Sequence, residues 1–193
     1  MDFVGFPKIA RYSRPCIVTE KIDGTNAQVW IPTEEQRAEL PDKWRALPII
    51  VASRSRWMYP PDDNQGFAKW AYENAECLLE LGPGHHFGEW WGQGIQRKYG
   101  LTERRFSLFN TERWRESRPA CCHVVPVLWE GLFDNLQVQT HIDQLQNEGS
   151  AAAPGFMRPE GIVIYHVAGN HSYKKTVEKD ETFKGSKGPE LGA

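Results

Sequence analysis

Apolar positions along the chain fall mostly into short alternating runs, the period of half-buried strands. Residues 16–18 and 27–31 read as strand, interrupted by an Asp23-Gly24 turn. Residues 48–54 form another, carrying Ile49, Ile50 and Val51. Further strands are expected at 86–91, 106–109, 123–129, 160–167 and 172–177. Pro126 lacks an N–H, so it marks an edge or bulge within the third of these. Helical spacing is clearest over 65–81, where Phe67, Trp70, Ala71, Cys77, Leu78 and Leu81 share a face despite Asn74. Asp63 or Asn64 caps its start and Gly82 stops it. A short helix over 33–40 carries a Thr33–Gln36 capping box, and another over 140–146 begins at Thr140 and stops at Gly149. Strands outnumber helices, and mostly turns or loops separate them. The pattern predicts an α+β class: antiparallel β-sheets flanked by helices.

Composition narrows the picture. The 193 residues suit one domain, or one large and one rudimentary. A net charge of −2 gives no global support for a polyanionic partner. Nucleic acid would need a local basic patch, such as Arg54 with Arg56, Arg97 with Lys98, Arg104 with Arg105, or the lysines of 174–187. Eight tryptophans serve either a core or base stacking. The cysteines, Cys16, Cys77, Cys121 and Cys122, have no CxxC spacing and read as reduced thiols of a cytoplasmic protein. His85 and His86 point to opposite faces of a strand, which argues against a shared metal. No signal peptide is visible and no apolar run approaches membrane length.

The candidate chemistry starts at Lys21, in Thr19-Glu20-Lys21-Ile22-Asp23-Gly24-Thr25-Asn26. A free lysine is protonated at neutral pH and must lose its proton before it attacks. The Asp-Gly turn lets a phosphate approach the backbone, and Asp23 stands ready for a metal ion or its waters. Glu89 ends a strand after Gly88, and Glu160 opens one before Gly161. Lys174 and Lys175 close the series. A lysine nucleophile, two acids on separate strands and a later lysine suit phosphoryl chemistry: acids hold a metal on phosphate oxygens and a lysine neutralises the phosphate. Each residue also has an ordinary reading: a solvated Lys21, strand-end glutamates, a structural Arg54, a core Phe109. Trp90 and Trp91 read as core on one face and exposed on the other, with no role.

These motifs, in this order, resemble those of covalent nucleotidyltransferases, and within them the ATP-dependent RNA ligases of the phage type. Residues 20–26, Glu-Lys-Ile-Asp-Gly-Thr-Asn, are similar to the first motif, Ser53-Arg54 to the next, and Phe87-Gly88-Glu89 with residues 92–96 to the third. Residues 106–110 resemble the aromatic segment that closes on the base, residues 160–163 the fourth motif, and Lys174-Lys175 the fifth. The resemblance runs through residues 19–176. It implies an ATP-grasp-like nucleotidyltransferase domain over 1–179, then a polar tail over 180–193 and no second domain.

The same resemblance implies roles. Lys21 attacks the α-phosphate of ATP and becomes lysyl-AMP; Glu20 accepts from the adenine amino group. Arg54 contacts the ribose or an incoming phosphate, and Phe109 stacks on the adenine. Asp23, Glu89 and Glu160 organise Mg2+ or Mn2+. Lys174 or Lys175 touches the α-phosphate; only one of them faces the pocket, and the preceding aromatic favours Lys174. AMP then passes to a 5′-phosphate, and a 3′-hydroxyl displaces it. The implied partner is nucleic acid, RNA with 5′-phosphate and 3′-hydroxyl ends in a repair setting, in a bacterial or phage-infected cytoplasm. Asn110 stands where the family often has Asp, so no acidic role is carried there. Two alternatives stay open: a DNA nick ligase, and a non-catalytic nucleotide- or RNA-binding module of the same fold.

Overall fold

A computed structural model describes residues 2–9, 11–59 and 62–178. The tail expected over 180–193 lies outside the described residues. In chain order the elements are β1 (Pro15–Lys21), β2 (Thr25–Ile31), α1 (Glu34–Glu39), α2 (Asp42–Arg45), β3 (Ile50–Ser53) and β4 (Trp57–Met58). Then come α3 (Phe67–Glu73), α4 (Ala75–Leu79), β5 (Gly84–Gly92), β6 (Arg104–Leu108), α5 (Thr111–Trp114) and β7 (His123–Val124). The last are β8 (Val127–Leu132), α6 (Asn135–Glu148), β9 (Gly161–His166) and β10 (His171–Thr176). The α+β class with antiparallel sheets stands; β6 with β7 is a parallel pair. No helix among the described residues is long and apolar enough to cross a membrane.

The chain divides into two compact units, one of residues 1–21 with 127–193 and one of 22–126. The first holds a four-stranded sheet of order β10-β9-β1-β8. Cys16, Val18, Ile162 and Ile164 project from one face of it and bury against Ile142 and Leu145 of α6. The second holds a six-stranded sheet of order β4-β3-β2-β5-β6-β7. Ala27, Val29, Val51, Trp90 and Phe106 project from its inner face into a core closed by Phe67, Ala71 and Leu78 of α3 and α4.

Several expectations change. The Asp23-Gly24 turn does not close a hairpin: β1 pairs with β8 and β9, while β2 pairs with β3 and β5. Pro126 does fall at an edge, between two edge strands, but not inside one strand. β7 joins the six-stranded sheet and β8 the four-stranded one, so the missing N–H coincides with a change of sheet. The long helix over 65–81 is two helices, because the Asn74 amide donates to the Trp70 carbonyl at 2.8 Å and competes with the helical ladder. Its cap residue is Gly66, left-handed at φ 75°, but Asp63 still serves the start by accepting from the N–H groups of Ala68 and Lys69. The last helix begins earlier than Thr140. Asp134 caps it by accepting from the Leu136 N–H at 2.9 Å, and the Thr140 hydroxyl donates back to the Leu136 carbonyl. The Thr33–Gln36 capping box forms as expected.

Candidate functional site

Lys21 is the last residue of β1, the strand flanked by β8 and β9. Its Nζ lies 2.6 Å from Glu160 Oε2, an ion pair that both side chains keep partly exposed. The register supports this meeting: Lys21 pairs with Gly161, and Gly161 pairs with Thr176 on β10. A Cβ at Gly161 would run into the Lys175 carbonyl oxygen and come within 2.7 Å of Thr176 Cα, so glycine lets the strands close beside the ion pair.

Strand alternation then sorts the neighbours. Partners across a ladder share a face. Thr19 pairs with Val163, and Val163 with Lys174, so Lys174 shares the face of Lys21. Glu20 pairs with Ile162, and Ile162 with Lys175, so Lys175 shares the opposite face with Glu20.

Glu20 is buried and held by the loop that precedes β9. Ser150 Oγ donates to one carboxylate oxygen at 2.6 Å and the Ala152 N–H to the other at 2.8 Å. Burial raises its pKa above the ordinary carboxylate value, against the lowering by those hydrogen bonds. Ser150 Oγ also accepts from the Ala153 N–H at 3.0 Å, which fixes the loop's turn.

The second unit assembles its own cluster. Arg97 Nε donates to Asp23 Oδ2 at 3.0 Å, and the Asp23 N–H donates to the Tyr99 hydroxyl at 2.8 Å. Glu89 is buried, and its two oxygens accept from the Gly24 N–H and the Asn26 amide, each at 3.1 Å. Gly24 has no room for a Cβ, which would lie 2.5 Å from the Trp90 carbonyl and 2.7 Å from Trp91 Cβ. Tyr99 packs edge-on to Trp91, ring centroids 4.9 Å apart. Trp91 is therefore buried, contrary to the exposed position expected for it; Trp90 faces the core. Arg54 follows β3 and is exposed, as is Phe109, which is 41% accessible rather than core.

A Mg2+ or Mn2+ ion takes hard oxygen ligands, one or two from carboxylates and the rest from water and phosphate. Glu89, oriented by two N–H donors, suits that role. Asp23 and Glu160 are engaged by Arg97 and Lys21. Among the described residues no three His, Cys, Asp or Glu side chains form a metal cage, so an ion held by Glu89 would complete its shell with water and phosphate oxygens. The thiols belong to the packing: burial drives Cys121 upward and pushes Cys122 up to about 12. His85 and His86 do face opposite ways, one exposed and one buried.

The motif residues thus sit where two ordered clusters form, and the sequence compared with family models gives the reason. The RNA ligase family model matches residues 14–184. The chain belongs to the RNA ligase family. Solved structures carry the same fold. A mutant of Naegleria gruberi RNA ligase with ATP and Mn aligns at 18% identity and a TM-score of 0.58, covering 86% of this chain and 51% of that one. Another mutant, with AMP and Mn, aligns at 19% and 0.60, covering 84% and 49%. The same ligase with PPi aligns at 20% and 0.56, covering 84% and 49%. The family member described here spans about half the length of those ligase chains. A search among curated proteins finds no match.

Two positioning residues of this RNA-ligase-family chain, Tyr99 and Ser150, escaped the sequence reading, and two more were seen in another light: Asn26 only as part of the first motif and Arg97 only as part of a basic patch. For Arg97 and Tyr99 a signal existed. β5 ends at Gly92, the loop after it carries Gly94 and Gly100, and its Gln96, Lys98 and Tyr99 have positive φ of 43°, 60° and 50°. Such a turn-dense loop aims side chains that regular strands cannot.

Proposed function

We propose that this chain is the nucleotidyltransferase part of an ATP-dependent RNA ligase, with Lys21 as the residue that becomes adenylylated. The observation that carries the reading is the Lys21–Glu160 pair at 2.6 Å, at the end of a strand of a four-stranded sheet in an RNA-ligase-family chain. The lysine attacks as a neutral amine, and Glu160 Oε2 is the acceptor within reach of its proton. The Lys21 Nζ–P bond forms as the bond from the α-phosphorus to the bridging oxygen breaks, and pyrophosphate leaves. Lys174, on the face of Lys21, offsets charge on the α-phosphate. Glu20 accepts from the adenine amino group while keeping the 150–153 loop in place, since a carboxylate has about four lone-pair sites and the Ser150 hydroxyl with the Ala151 and Ala152 N–H groups leaves one open. Phe109 offers an open ring to the base, and Arg54 an unshielded guanidinium to ribose or phosphate. Glu89, with Asp23 beside the Gly24 whose N–H it accepts, would hold a divalent cation, Mg2+ or Mn2+, which would draw charge from the phosphate oxygens. The acceptor of AMP is a 5′-phosphate on RNA, and a 3′-hydroxyl completes sealing.

Incubation with α-labelled ATP and Mg2+ or Mn2+, followed by denaturing electrophoresis, tests the first step. Wild type is expected to carry label and Lys21→Ala none. An unlabelled wild type, or a labelled Lys21→Ala, would overturn the assignment. Sealing assays on single-stranded RNA, nicked duplex RNA and nicked DNA test the substrate. Preference for nicked DNA would move the chain to the DNA-ligase alternative.

A further inference from the structure

On the second unit, the sheet face that carries Asn26 and Glu89 changes character along its length. Toward one end it is sealed by Trp91 and Tyr99. Toward the other it opens into a strip of rings on successive strands. Cross-strand register sets Trp30 opposite His85 and Asn26 opposite Glu89, with Phe87 between them on the same face. The Phe109 N–H donates to the Phe87 carbonyl at 3.0 Å, extending the β5–β6 ladder and placing Phe109 beside Phe87. The ring of Trp30 stacks on His85 at 5.1 Å and 4°, and His85 lies parallel to Phe87 at 6.2 Å and 15°. On the other side Trp57 approaches Trp30 at 5.5 Å. Phe87 is 54% accessible and Trp57 45%, so the strip ends in two open rings.

Exposed rings standing singly are ordinary; a continuous strip of them marks a binding surface. Its chemistry favours unpaired nucleotides. Aromatics at alternate positions of neighbouring antiparallel strands present plates on which splayed bases stack, whatever the base. The border is cationic. Lys43 sits 4.7 Å over the Trp44 ring, beside Trp57, and Arg54 is exposed after β3. The nearby acids Asp42 and Asp62 are engaged by Arg45 and Arg56. We infer that the Trp57–Trp30–His85–Phe87 strip docks a single-stranded RNA segment by base stacking, outside the residues assigned to adenylyl transfer. The kind of nucleic acid rests on the ligase reading; the stacking rests on the strip itself.

The test measures tryptophan fluorescence of the full chain titrated with a 12-nucleotide oligouridylate and, separately, with an abasic ribose-phosphate strand of equal length. Wild type is expected to be quenched by the oligouridylate and to bind the abasic strand at least fivefold more weakly. Trp57→Leu keeps apolar area but removes the ring at the open end of the strip, and is expected to weaken oligouridylate binding at least fivefold, with labelling by α-labelled ATP unchanged. Trp57 is about half exposed, so folding is retained, which circular dichroism checks. Equal binding of the two strands, unchanged binding by the variant, or no binding at all would overturn the inference. So would a concentration-dependent dimer that the variant abolishes, which would make the strip a protein contact. Failure of labelling with the stacking result intact would reject the ligase reading alone.

Discussion

At the residue scale, the decisive feature is alternation. Lysines at 174 and 175 are indistinguishable by composition, but a strand sends neighbours to opposite faces. The register puts Lys174 on the face of Lys21 and Lys175 on the face of Glu20. Lys174→Ala is therefore expected to lower the rate of self-adenylylation at least tenfold, an order of magnitude typical of losing one charged phosphate contact (about 1.4 kcal/mol). Lys175→Ala is expected to change it less than threefold, about 0.7 kcal/mol on the same scale. Single-turnover labelling at saturating ATP checks both; equal losses would refute the division of labour. Gly24 and Gly161 show the other side of residue-scale control. Each leaves out a Cβ where backbone and a candidate acid crowd together, beside Glu89 and beside Glu160.

At the element scale, capping fixes where helices start better than apolar spacing does. Gln137, Val138 and Gln139 alternate like a strand, so Thr140 was the first cap suggested by the sequence. Asp134 takes the position instead and adds about a turn and a half of helix ahead of the buried His141, Ile142 and Leu145. Asp134→Ala removes an acceptor for an orphan N–H and is expected to cost about 1 kcal/mol. A urea midpoint lowered without change of slope would show it. The Thr33 capping box was legible because its two partners are three residues apart in sequence. Asp63 was half legible: its carboxylate does serve α3, but a left-handed Gly66 intervenes, and no local pattern fixes that.

At the scale of the whole molecule, two separate cores carry the fold, and two histidines, the buried His86 and the half-buried His123, tie the second to pH. His86 donates to the Gly82 carbonyl at 2.9 Å, and burial holds it below the ordinary value of 6.5. Burial holds His123 below that value as well, with Arg105 and Arg118 adding to the effect. The folded form refuses protons that the unfolded chain accepts. Their contribution is thus full above 6.5 and lost as pH falls through and below that value. The thermal midpoint is expected to drop between pH 7 and pH 5.5, and His86→Gln, which keeps a donor for Gly82, to flatten that drop. A variant with the same slope as wild type would remove His86 from the account.

The sequence by itself determined the class, most strands, the free cysteines and the family resemblance, because period-two alternation, turn chemistry and short motifs are local. It also determined which residue types were available for adenylyl transfer. It did not determine the partition. One strand-like run crosses Pro126 and one motif crosses Asp23-Gly24, yet each spans two sheets, since pairing is chosen by long-range ladders rather than neighbours. The partners of Glu20, 130 and 132 residues away at Ser150 and Ala152, are likewise a product of loop closure. So is the aromatic strip, whose rings lie far apart in sequence and meet only across β4, β3, β2 and β5. Chemistry was written in the local sequence; the faces, partners and surfaces that use it were decided by which strands paired.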